Sequence, residues 1–349
     1  MTPLDQVAAL THPGSLLSSE GDIVASYDVE VSGAPAEGFR PLSIVPTIRN
    51  ANVCPFEVDY ARLTRAHVIN GLGVTLGDSI IGLTALSALR KKHPTLFFTI
   101  YRPRLVPAYV RQVYELAAPI FGCVRDLPVR VEALPDGAFQ VDVGNHLFWP
   151  NFSSMPMIDF FLWALGVEPD SVPSVDKSND WLRKVTVRDS QGKWAQQPYV
   201  LFCPVASTPV RSIPRSFRKE AVEQLWQEFH LPVLGFGDVE HDRYTDVRSL
   251  SKDTASFLAW VKNARFVLTS DTAAVHIAAG FDVPTVAFFT TIPPGLRVRD
   301  YAYCTPITLR LPELRGIQAS ARPGDIEIVE RSYRELSGHE LRRALQLQG

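Results

Sequence analysis

The stretch SDTAAVHIAAGFDVPTVAFF, residues 270–289, decides the fold. Phe266, Val267 and Leu268 form a short apolar run just before it, and Val283-Pro284 restarts an extended run that ends at Phe289. A strand, a polar loop, a helix and a second buried strand therefore follow one another. Either Asp271 or Thr272 can cap the helix. A helix that opens at a strand's carboxyl end offers unsatisfied backbone N–H groups and a positive dipole end, which together favour an anion such as a diphosphate. His276 lies five residues after Asp271, inside the first turns. The plainer alternative is that Asp271 only caps and His276 only packs.

Outward from this stretch the same alternation continues. In the second half, strands are expected over 199–203, 232–236, 265–268 and 285–289, with helices over 217–229 and 254–262. Shorter strands are expected after Pro306, and a last helix over 333–347. In the first half, strands are expected over 66–69, 96–101, 122–125 and 139–143, and helices over 78–92, 105–118 and 157–165. Strands alternating with helices imply parallel sheets covered on both faces. The polar run VTVRDSQGKWAQQP, 185–198, has no sustained apolar period and reads as a boundary. The expected division is an extension over 1–64, a Rossmann-like unit over 65–190 and a second over 191–349. The extension is rich in Pro, Gly and Ser, with one alternating run over 23–31 that reads as a strand. Two such sheets in tandem are expected to present their carboxyl-end loops to each other across a cleft.

Composition narrows the function classes. With 35 basic against 37 acidic side chains, no global field draws in nucleic acid. Cys54, Cys123, Cys203 and Cys304 are widely spaced and form no CxxC pair, which argues against a zinc site or a disulfide framework and suits a reducing, cytoplasmic setting. No apolar run approaches the roughly 18 residues of a spanning helix, and the amino terminus lacks a basic region ahead of its apolar residues. The chain is thus expected to be cytoplasmic, with peripheral contact at the inner membrane surface left open.

Three further loops could do chemistry. In the loop 70–78, Gly71, Gly73 and Gly77 allow positive φ and close approach to a ligand. As a dinucleotide fingerprint its GxGxxxG spacing is irregular, and the second strand ends in Tyr101-Arg102 with no acid for a ribose. Asp78 either caps the following helix or is a carboxylate placed to take a proton. The loop 204–215, with Ser207, Thr208, Arg211 and Arg215, is a phosphate cradle or a solvated, proline-kinked loop. After the strand over 232–236, Glu240 is a ribose acceptor or an ordinary loop charge. Arg102, Arg104 and Arg111 form a basic rim for an acidic acceptor or a solvated helix face.

Taken together, these residues resemble the heptosyltransferases of glycosyltransferase family 9, over roughly residues 65–310. Gly77-Asp78 followed by an apolar run and Arg90-Lys91-Lys92-His93-Pro94 is similar to the family's first signature. Asp271-Thr272-Ala273-Ala274-Val275-His276, then Ala278-Ala279 and Val283-Pro284, is similar to its second. Ser207-Thr208, Arg211 and Pro214 resemble the hydroxyl pair, Lys and Pro between them. The chain departs from the pattern in Arg211 for Lys, Ala273 for Gly, and Thr290-Thr291-Ile292-Pro293 after the last strand.

The resemblance implies a GT-B fold and an inverting, metal-independent transfer of a sugar, heptose in the family, from a nucleotide diphosphate to a hydroxyl of a glycan or lipopolysaccharide acceptor. It implies no cofactor, only a nucleotide-sugar co-substrate, ADP-linked in the family. By position Asp78 would be the general base, and Ser207, Thr208, Arg211, Asp271, Thr272, Ala273 and His276 would surround the diphosphate. The alternatives are an NAD-dependent oxidoreductase or nucleotide-sugar epimerase on a double-Rossmann scaffold, and a non-catalytic glycan- or nucleotide-binding protein.

Overall fold

Two parallel sheets organise the chain in a computed structural model, which describes residues 3–187, 191–336 and 338–347. Residues 188–190 of the polar run and Ser337 of the expected last helix lie outside these ranges. The chain divides into two compact units, Met1–Lys177 and Ser178–Gly349. The first unit thus takes in the first 64 residues, and the division falls ahead of the polar run. Within that run Gln191 is built into the second unit. Gln191, 1% exposed, donates to Tyr199 Oη (2.8 Å) and to the Ala259 carbonyl (2.9 Å).

The first unit begins with α1 (Gln6–Leu10), β1 (Leu16–Leu17), β2 (Asp22–Val24), α2 (Ser26–Ser32), β3 (Arg40–Pro41) and β4 (Ile48–Arg49). It continues with β5 (Arg65–Ile69), α3 (Leu76–Lys92), β6 (Phe97–Arg102), α4 (Ala108–Phe121), β7 (Gly122–Asp126), β8 (Val129–Arg130), β9 (Phe139–Asp142) and α5 (Met157–Ala164). The strand expected over 23–31 is instead β2 followed by α2. Gly33, left-handed at φ 66°, ends that helix, and Asp28 in its first turn accepts from the Arg104 and Leu105 amides at 2.8 Å.

The parallel sheet runs β4-β9-β5-β6-β7. β5 and β6 are buried along nearly their whole length, as strands covered on both faces must be. Helix α3 is buried almost all round and packs on α4 and α5. Ile69 pairs with Asp142, so the loops after β5 and β9 leave the same edge of the sheet side by side.

The 1–64 segment is built into this unit. β1 pairs with β2 and β3, β2 with β8, and β4 extends the parallel sheet beside β9. Ser15 gives both its amide and its hydroxyl to the buried Asp142 carboxylate, each at 2.7 Å. Asn145 donates to the carbonyls of Leu10 (3.0 Å) and His12 (2.7 Å).

The second unit comprises β10 (Val200–Cys203), α6 (Arg215–Phe229), β11 (Val233–Gly235), β12 (Tyr244–Asp246), α7 (Thr254–Lys262) and β13 (Phe266–Ser270). After these come α8 (Ala273–Gly280), β14 (Thr285–Phe289), β15 (Cys304–Thr308), α9 (Pro323–Glu335) and α10 (Gly338–Gln346). Its sheet runs β12-β11-β10-β13-β14-β15, all parallel. Val286 and Phe288 face a core built with α6, α9 and α10, whereas Ala287 and Phe289 face Val275 of α8. β15 carries Pro306, tolerated because the strand lies at the sheet edge. The single terminal helix expected over 333–347 is two helices, because the chain leaves helical geometry at Leu336 (φ −62°, ψ 121°).

Candidate active site

In the first unit the site grows from the loop between β5 and α3. Gly73 has φ +91°, and a Cβ there would lie 2.5 Å from Asp78 Cβ and 3.1 Å from His146 Cε1. Gly71 is needed for a different reason, since a Cβ would press on Val68 and Val143. Gly77 is the second residue of α3. Thr75, not Asp78, is the helix cap, its hydroxyl accepting from the Asp78 amide at 3.3 Å. Asp78 therefore sits in the first turn, where the dipole favours its negative charge. Its side chain is 18% exposed, and His146 Nε2 lies 3.5 Å from Oδ2.

His146 has no sequence signature. It follows left-handed Asn145 (φ 48°) in the loop after β9, and its ring is 4.6 Å from Phe152, 5.3 Å from Phe161 and 6.0 Å from Phe160, centroid to centroid. A polar residue just beyond a buried strand's carboxyl end was the available signal.

Arg102 does not join a basic rim. It is 2% exposed, lies over the Tyr114 ring at 3.5 Å and donates to the Gly73 carbonyl at 3.0 Å, which holds the glycine loop from beneath. Burial pulls its pKa below the usual arginine value. Arg104 and Arg111 are exposed, and Arg111 donates to the Arg104 carbonyl at 2.9 Å.

In the second unit Ser207, Arg211, Asp271, Thr272 and Ala273 follow the carboxyl ends of β10 and β13, and the first three are in contact. Thr272 caps α8, accepting from the Ala274 amide at 3.1 Å, and Ala273 is the first helical residue. Asp271 takes another part: its carboxylate accepts from Arg211 Nη1 at 3.1 Å. Arg211 Nη2 donates to Ser207 Oγ at 2.8 Å, so Ser207, Arg211 and Asp271 form one chain of contacts. Thr208 is turned away, exchanging hydrogen bonds with the Ser320 backbone at 2.9 and 3.0 Å.

His276 is 3% exposed and meets Tyr301 Oη through Nδ1 at 2.9 Å. Glu240 is exposed in the loop beyond β11. Two hydroxyls to which the sequence assigns no site role belong to the same edge of the sheet. Ser270 Oγ and Thr291 Oγ1, with Arg211 Nε, are buried and make no hydrogen bond among the described residues. Buried donors without partners mark a place where a ligand or water completes the bonding. Among the described residues no group of three or more His, Cys, Asp or Glu side chains is arranged to hold a metal ion. No helix among them is long and apolar enough to cross a membrane.

No protein-family profile and no curated protein matches the chain. The structure of E. coli ADP-heptose LPS heptosyltransferase II superposes with a TM-score of 0.51 at 13% identity, over 78% of this chain and 99% of that one. This chain has the heptosyltransferase II fold. A glycosyltransferase family 9 structure from Veillonella parvula DSM 2008 matches at TM-score 0.47 and 14% identity, over 81% and 99% of the two chains. The iron-containing dodecameric glycosyltransferase TibC from enterotoxigenic E. coli H10407 matches at 0.49 and 11%, over 81% and 75%. The heptosyltransferase fold places Asp78 in the first Rossmann-like unit and the Arg211, Asp271 and Thr272 group in the second.

Proposed function

We propose that the chain is a glycosyltransferase of the family 9 type, which moves a sugar from a nucleotide diphosphate to a hydroxyl of a glycan or lipopolysaccharide acceptor. The observation that carries this reading is the presence, within one heptosyltransferase fold, of a part-exposed carboxylate at the head of α3 and, beside the amino end of α8, a part-buried arginine whose Nε is orphaned together with two buried hydroxyls. The first has the chemistry of a general base, and the second that of a diphosphate site.

The reaction is a single displacement with inversion. The acceptor hydroxyl gives its proton to Asp78 while its oxygen forms a bond to the anomeric carbon. The bond from that carbon to the diphosphate oxygen breaks, and the nucleoside diphosphate departs with the electron pair. Arg211, Ser270, Thr291 and the amino end of α8 receive the developing negative charge, a task that needs no metal ion when fixed donors are aimed at it. An ADP-linked sugar is the proposed donor, with heptose as the first candidate.

The test is a thermal-shift series with ADP, UDP, GDP and CDP. A ligand at about 100 times its Kd stabilises the native state by about 2.7 kcal/mol, which for a unit of this size raises Tm by about 5–10 °C. ADP is expected to give that shift and the other three much less. A chain that responds to none of the four would overturn the reading.

A further inference from the structure

Asp78 shares its place in the loop with a histidine that no motif announces. His146 Nε2 is 3.5 Å from Asp78 Oδ2, with side-chain exposures of 5% and 18%, so the carboxylate faces outward and the imidazole stands behind it. Nε2 is buried and makes no hydrogen bond at this distance among the described residues. A closure of a few tenths of an ångström would complete one, and catalytic hydrogen bonds are often long before substrate arrives.

The ring is held where this closure is possible. Phe152, Phe160 and Phe161 surround it, and the turn that carries it is fixed by the Phe148 amide on the Asn145 carbonyl (3.1 Å) and by Trp149 Nε1 on the Gly144 carbonyl (2.8 Å). Asn145, one residue earlier, is anchored through its side chain to Leu10 and His12. An independent observation comes from the facing loop. Gly73 lacks the Cβ that would touch both Asp78 Cβ and His146 Cε1, so the backbone there is shaped around the two side chains together.

We propose that His146 is a positioning residue for Asp78: its Nε2–H donates to Oδ2 and orients the carboxylate that receives the acceptor's proton. The catalytic part of this rests on the reading of Asp78 as base. The pairing itself does not.

Three variants and one spectrum test it. In His146→Gln the side-chain amide reaches the Nε2 position, in His146→Asn it reaches only the Nδ1 position, and His146→Phe fills the pocket without a donor. His146→Phe is expected to lower kcat about 10- to 100-fold with acceptor KM nearly unchanged. Gln should restore most of the loss and Asn little of it. Equal kcat for wild type and His146→Phe would overturn the proposal, as would equal kcat for Gln and Phe. The ¹⁵N spectrum of the ring needs no turnover. It should show the Nε2–H tautomer in the wild type and a loss of that preference in Asp78→Ala. An unchanged tautomer in Asp78→Ala refutes the pairing, whereas the expected change in a chain that transfers no sugar would leave the pairing intact and refute the transferase reading.

Discussion

Gly73→Ala should damage the site more than the fold. At φ +91° an alanine pays backbone strain of about 1–2 kcal/mol, and its Cβ would stand 2.5 Å from Asp78 Cβ, where carbon atoms rest at about 3.5–4.0 Å. Asp78 must retreat by roughly 1 Å, and the overpacking adds about 1–3 kcal/mol. The combined cost of about 2–5 kcal/mol should lower the first unit's melting temperature by about 5–15 °C. A displacement of this size at a reacting group costs on the order of 100-fold in turnover. The assay is kcat for sugar transfer at saturating donor, read with the melting curve of the same sample. A variant that melts with the wild type and turns over within twofold of it would show that the loop does not set Asp78's position.

Two other substitutions probe the remaining parts. Arg211→Ala removes the cation from Asp271, whose side chain is 4% exposed, and should cost about 3 kcal/mol of stability while weakening ADP binding about 10- to 100-fold; calorimetric titration with unchanged affinity would remove Arg211 from the diphosphate site. Burial raises the Asp142 pKa, although Ser15, Gly144 and Asn50 donate to its carboxylate. Above the unfolded value of about 4 the native chain therefore holds more protons than the unfolded one, so this group's contribution to stability is present below that pH and is lost as pH rises through the folded value. Urea midpoints measured across that window should show a decline with pH in the wild type that Asp142→Asn lacks, and parallel curves would refute the assignment.

The parallel core was legible in the sequence because its strands are continuous apolar runs and its helices are long or well capped. β5, β6, β10, β13 and β14, with α3, α7 and α8, lie close to their expected spans. The edge strands β4 and β12 were not legible, since two or three residues carry no period. The first 64 residues looked separate because what docks them is non-local. Ser15 meets a carboxylate 127 positions away, and Asn50 one 92 positions away. Likewise Asp271 and Thr272 were interchangeable as caps until Arg211, 60 positions earlier, claimed Asp271. His146 was invisible for the same reason: only the adjacency of β5 and β9 brings it to Asp78.

In the proposed transferase, proton removal by Asp78 and diphosphate binding by the second unit are separate tasks. Measuring ADP affinity and sugar transfer together in Asp78→Asn separates the two. ADP affinity is expected to stay within about threefold of the wild type and turnover to fall about 10²- to 10⁴-fold. Transfer at the wild-type rate in that variant would contradict the proposal.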